Sequence, residues 1–127
     1  MDTLANALNA IKVAETKGFS EAKIKPSSKI IREVLLLLQQ NGYIGDFEFV
    51  DDGKSGQFKV RLLGKINNCG VIKPRFPVGK ETWEKYEQRY LPGKGIGLLI
   101  VSTPAGMMAH HASKEKNMGG RLMAYVY

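Results

Sequence analysis

A five-residue apolar run, Gly97-Leu98-Leu99-Ile100-Val101, leads directly into Ser102-Thr103-Pro104-Ala105-Gly106. The run is short and β-branched toward its end, which suits a strand buried on both faces better than a helix. Such a strand is a rigid base for whatever follows it. The next five residues are small or turn-forming, and two hydroxyls stand where the backbone must leave the sheet. Gly106 allows a positive φ or the close approach of another molecule's backbone. Met107 to Lys116 has helical spacing and a basic end, so the expected order is strand, hydroxyl-rich turn, helix. That junction offers short donors and exposed backbone N–H groups, which suit phosphates or sugar hydroxyls. An ordinary strand-to-helix turn has the same residue types.

Upstream, Leu4, Ala5, Leu8, Ile11 and Ala14 or Val13 recur at three- and four-residue spacing, predicting a helix over 3–16 with Asp2 or Thr3 as N-cap and Gly18 as its stop. Ile24 falls in a short strand that sends Lys23 and Lys25 to the opposite face. A serine before Ile30-Ile31, Val34-Leu35 and Leu38 caps a second helix, which Asn41-Gly42 ends. Tyr43 to Val50 and Phe58 to Leu62 flank the turn residues 51–56 as a hairpin. Residues 1–64 thus form an α-β-α-β-β lobe, and a boundary falls between Leu63 and Asn67. Over 65–127, Pro74 and Pro77 permit only an edge or bent strand. Trp83, Tyr86 and Tyr90 make an aromatic stripe that reads as core on a short helix. The terminal strand after Gly119-Gly120 can pair with 97–101. The fold class is α/β (α+β) in two small lobes, the second mostly β with short helices.

The charge is +7, and its placement says more than its size. Residues 1–64 carry 9 Lys and Arg against 8 Asp and Glu, whereas 65–127 carry 10 against 4. A basic half on a folded lobe is the electrostatic footprint of a nucleic-acid binder. Lys73 and Arg75 flank Pro74 as candidate phosphate contacts. Catalytic chemistry is poorly provided for. His110 and His111 point about 100° apart on a helix, lack an evident acidic or cysteine partner, and do not form the i, i+4 metal pair. Asp51 and Asp52 read as turn formers, and the glycines of 93–97 precede a strand where a dinucleotide loop would follow one. The expectation is no enzyme, no metal and no cofactor. One cysteine, Cys69, allows no internal disulfide. The N-terminus lacks a signal-peptide pattern and no apolar run approaches the roughly 18 residues of a span, so an intracellular chain without a membrane partner is expected.

Taken together, Asp2-Thr3-Leu4-Ala5-Asn6, Pro26-Ser27-Ser28-Lys29, Asn41-Gly42-Tyr43-Ile44, Ile72-Lys73-Pro74-Arg75-Phe76, Ser102-Thr103-x-x-Gly106 and Gly119-Gly120-Arg121 before Ala124-Tyr125-Val126 resemble the S-eight protein family of the small ribosomal subunit, in its archaeal form. The resemblance spans nearly the whole chain. It implies a two-lobed protein in the cytoplasmic ribosome that binds the central domain of small-subunit ribosomal RNA directly and helps assemble the platform beside neighbouring ribosomal proteins. It implies that the carboxyl-terminal lobe meets an irregular RNA helix, and that the chain's own messenger RNA is a second partner through translational repression; a non-ribosomal RNA-binding module is the alternative. Carried across, Ser102, Thr103 and Gly106 form the reading loop, flanked by Gly119, Gly120 and Arg121. Pro26, Ser27, Ser28 and Lys29 touch RNA from the first lobe. Each hydroxyl of the loop is expected to contribute about 1 to 2 kcal/mol of RNA affinity with little effect on folding. Pro104 stands where members commonly carry a third hydroxyl, and Ala109 where they often carry a helix cap.

Overall fold

The computed structural model describes residues 3–25, 27–51, 53, 56–73, 75–79, 83–93 and 95–127. The chain divides into two compact units, Met1–Cys69 and Gly70–Tyr127. The first contains α1 (Thr3–Thr16), β1 (Glu21–Ile24), α2 (Lys29–Gln40), β2 (Ile44–Val50) and β3 (Gln57–Leu62). Its antiparallel sheet has the order β1-β3-β2. Alternation along β3 buries Phe58, Val60 and Leu62, while Lys59 and Arg61 turn to the other face. Both helices pack on the sheet through apolar stripes: Leu4, Ala7, Leu8, Ile11 and Ala14 of α1, and Ile31, Val34, Leu35 and Leu38 of α2. The stripe passes through Ala14 and leaves Val13 exposed. Burying a leucine or isoleucine contributes roughly 1.5 to 3 kcal/mol, so these stripes hold the lobe together. Ser28 is the N-cap of α2, its Oγ accepting from the Ile31 N–H at 3.2 Å. The expected cap Asp2 and the hairpin residues Asp52, Lys54 and Ser55 lie outside the described residues.

The second unit holds β4 (Cys69–Val71) from Gly70 onward, β5 (Pro77–Val78), α3 (Trp83–Tyr90), β6 (Leu98–Thr103), β7 (Gly106–Ala109), α4 (His110–Glu115) and β8 (Gly120–Val126). The sheet runs β4-β8-β6-β7, and β5 also pairs with β8. Leu98 to Val101 are all buried, as a strand covered on both faces requires. Leu99, Val101 and Leu122 pack against Trp83, Tyr86 and Leu91. The aromatic stripe of α3 is therefore core: Trp83 and Tyr86 are buried, and half-buried Tyr90 stacks on Tyr125 at 5.6 Å between ring centroids.

One element differs from expectation. The helix expected over 107–116 begins only at His110, and Gly106–Ala109 form a strand antiparallel to β6. Pro104 presets the φ of the second position of a tight turn, and Gly106 follows at φ +112, so the chain doubles back after Thr103. Met107, Met108 and Ala109 then find backbone partners on Ser102, Val101 and Ile100. Those long-range bonds override a helical spacing that the side chains alone would favour.

Candidate nucleic-acid interface

Strand register gathers most of the expected residues of the second unit at one end of its sheet. Ser102 on β6 lies opposite Met107 on one side and Arg121 on the other, and Arg121 in turn lies opposite Pro77. Thr103 pairs with Gly106 across the turn, and Val78 pairs with Gly120. Arg75 stands two residues before β5, and the Phe76 carbonyl accepts from the Leu122 N–H at 3.0 Å, which holds that segment beside β8. The side chains of Lys73, Arg75 and Arg121 are exposed. Neither Arg75 nor Arg121 has an ion-pair partner among the described residues. The result is a row of short polar groups and backbone bordered by cations.

The two hydroxyls of the loop differ. Thr103 is 9% exposed; its Oγ1 accepts from the Ala105 N–H at 3.2 Å and donates to the Gly106 carbonyl at 2.7 Å. It fastens the turn around Pro104 from inside, as Ser and Thr side chains do when they mimic a backbone turn. Ser102 is half-buried, and its hydroxyl has no partner among the described residues. Pro104 therefore serves the turn, and of the loop's two hydroxyls the one without a partner among the described residues is that of Ser102.

The two adjacent glycines are fixed by strand packing. A Cβ on Gly119 would come within 2.5 Å of the Val78 carbonyl oxygen, and one on Gly120 would collide with the Ser102 carbonyl oxygen. Both glycines let β8 run close to its neighbours, which brings Arg121 into the row. Gly106 meets nothing within 4 Å at the position of a Cβ, so its requirement is conformational.

The residues of the first lobe form a separate small group. The Ser27 N–H donates to the Gly56 carbonyl at 3.2 Å, Ser28 caps α2, and Lys29 is exposed on the first turn of that helix with no partner among the described residues. Pro26 lies outside the described residues.

His110 is tied into the sheet through one ring nitrogen and faces α3 with the other. Its Nδ1 accepts from the Leu99 N–H at 3.0 Å, and its Nε2 faces Glu87 Oε1 at 3.3 Å. An acceptor Nδ1 places the ring proton on Nε2, the nitrogen that faces the Glu87 carboxylate. Burial, with the charge of neighbouring His111 added, pushes its pKa down to about 4. The histidine pair also differs from expectation. His110 sits at the strand-to-helix junction, so the two rings lie 3.9 Å apart between centroids, and Glu87 supplies the acidic partner that spacing along the chain did not show. No group of three or more metal-ligating side chains occurs among the described residues.

The family model described as Ribosomal protein S8 matches residues 2–127. The chain belongs to the ribosomal protein S8 family. It is thus a small-subunit ribosomal protein that binds ribosomal RNA and works in the ribosome beside other ribosomal proteins, in a family whose role is structural. Among the described residues, no helix is long and apolar enough to cross a membrane. Within the S8 family assignment, the hydroxyl, backbone and cation row of the second unit becomes the candidate RNA surface.

Proposed function

We propose that the chain is an archaeal-type, cytoplasmic member of the family that binds the central domain of small-subunit ribosomal RNA early and helps assemble the platform. The second lobe reads an irregular helix with the Ser102 hydroxyl and the backbone around Gly106, Gly119 and Gly120. Arg121, Arg75 and Lys73 attract phosphates, and Thr103 holds the turn in shape. Ser27 and Lys29 touch RNA from the first lobe, beside Pro26 and the capping Ser28. The observation that supports this most is the register that sets Ser102 beside Arg121, the Ser102 hydroxyl without a hydrogen-bond partner and Arg121 without an ion pair among the described residues. RNA read in bulges and unstacked segments is met by such short polar groups and backbone, with cations supplying attraction that is independent of sequence.

The test is binding to an irregular central-domain helix against a regular duplex of equal length across a salt series. A preference of about a hundredfold or more at physiological salt is expected of direct recognition. Equal affinities that vanish together with salt would leave only the +7 charge at work. The chain's own messenger RNA, offered as competitor, displaces the ribosomal helix if translational repression uses the same surface.

Two substitutions separate the hydroxyls. Ser102→Ala is expected to weaken the irregular helix by about 1 to 2 kcal/mol and leave the urea midpoint in place, because only an intermolecular bond is lost. Thr103→Val does the reverse first, lowering stability by about 1 kcal/mol through the lost turn bonds. Identical effects of the two would contradict the division of roles. For the cations, Arg75→Gln should weaken both RNAs alike and reduce the slope of log affinity against log salt by roughly 0.7 to 0.9. An unchanged slope would show that Arg75 does not meet a phosphate.

A further inference from the structure

We propose that His110 is a positioning residue for the RNA-facing hairpin, holding β7 in register from the end opposite the turn; this rests on the reading of that hairpin as RNA-facing. β7 has four residues and is an edge strand, paired to β6 from Thr103↔Gly106 to Ile100↔Ala109. Beyond Ala109 the chain turns into α4, so the Leu99 N–H has no strand residue opposite it on that side. His110 Nδ1 takes that bond at 3.0 Å and prolongs the ladder by one step with a side chain. Its Nε2 lies 3.3 Å from Oε1 of Glu87 on α3, and that oxygen also pairs with Lys114 of α4.

The start of α4 shows why this anchor is needed. Its N-cap is Ala109, which makes no side-chain cap bond, so its first turn lacks the usual local fixing. The histidine supplies a tertiary substitute, at 2% exposure, with Nδ1 hydrogen-bonded to the sheet and Nε2 facing the Glu87 carboxylate. β7 is thereby clamped at both ends, by the Thr103 hydroxyl at the turn and by His110 at the helix junction. Ser102 pairs with Met107 in the middle of that clamped strand. Slippage of β7 would move the turn and the backbone beside Ser102 together, since a one-residue slip exchanges the faces of a strand.

The experiment uses the full chain and two readouts, both taken well below each variant's unfolding temperature. One is the ratio of affinities for the irregular helix and the regular duplex; the other is amide hydrogen exchange at Leu99 and Ala105. His110→Leu should lower the ratio about tenfold, the scale of one misplaced hydrogen bond, and speed exchange at both amides. His110→Asn carries an oxygen where Nδ1 stood and should restore protection of Leu99 and most of the ratio. If His110→Leu fails to fold, Glu87→Ala removes the partner of Nε2 and must speed Ala105 exchange and lower the ratio. A folded His110→Leu with both readouts unchanged overturns the proposal, as does loss of the ratio without rescue by His110→Asn. Ser102→Ala measured alongside keeps the two readings apart. If it leaves the ratio unchanged, the RNA surface is elsewhere, while exchange at Ala105 still reports whether His110 holds the hairpin.

Discussion

Gly120→Ala is expected to lower the stability of the protein by about 3 kcal/mol, the upper end of what overpacking a well-filled interior costs. The added methyl would collide with the Ser102 carbonyl oxygen and stand 2.9 Å from Val101 Cγ1 and 3.0 Å from the Ser102 carbonyl carbon. Backbone cannot swing aside as the end of a long side chain can. β6 is held between β7 and β8, and on the other side of β8 Val78 pairs with Gly120 itself, so neither strand can retreat without losing ladder bonds. Those bonds are made by groups that must be paired once buried. Urea unfolding followed by circular dichroism measures the loss. A loss below about 0.5 kcal/mol, the size of an ordinary surface change, would show that β8 has room to move. The same substitution should weaken RNA binding in the fraction that remains folded, because Arg121 and Ser102 are displaced together.

Acid should destabilise the protein through His110. The ring is neutral in the fold, with its pKa pushed down to about 4, while in the unfolded chain it returns to 6.5. The unfolded state therefore binds the proton more readily, and stability falls as pH falls. The contribution is intact above 6.5 and is lost progressively between 6.5 and about 4. At about pH 5 the loss relative to neutral pH is on the order of 2 kcal/mol. The facing charged groups are His111 and Lys114 on α4, which oppose a second positive charge, and Glu87 on α3, which favours it. Burial outweighs the carboxylate, since a charged ring would also forfeit the Nδ1 acceptor that the Leu99 N–H uses. Unfolding free energies of the native chain and His110→Asn, compared at about pH 5 and pH 8, isolate this contribution. The native chain should show the larger difference; equal differences in the two proteins would remove His110 as its cause.

Much of this protein is local in origin, and those parts were readable. The apolar spacing of Leu4, Leu8 and Ile11, and of Ile31, Val34, Leu35 and Leu38, gives two helices because 3.6-residue periodicity depends only on near neighbours. Ser28 as a cap and the buried strand at Leu98 to Val101 follow from equally local chemistry. The turn after Thr103 was present in the sequence as well, with proline second and glycine fourth between two apolar runs, the pattern of a hairpin. The helical spacing of Met107 to Lys116 concealed it, because one stretch can satisfy both patterns until the partners of its backbone are known.

By itself the sequence determined the two lobes, their mixed helix and sheet content, the basic second half and the motifs that mark the family. Only the tertiary structure decided that Gly106–Ala109 is a strand, that Thr103 serves the turn while the Ser102 hydroxyl has no partner among the described residues, that Gly120 exists to let two backbones meet, and that His110 faces Glu87. The reason is common to all four. Each depends on which residues far apart in the chain become neighbours through strand register, and register is set by the packing of the whole sheet.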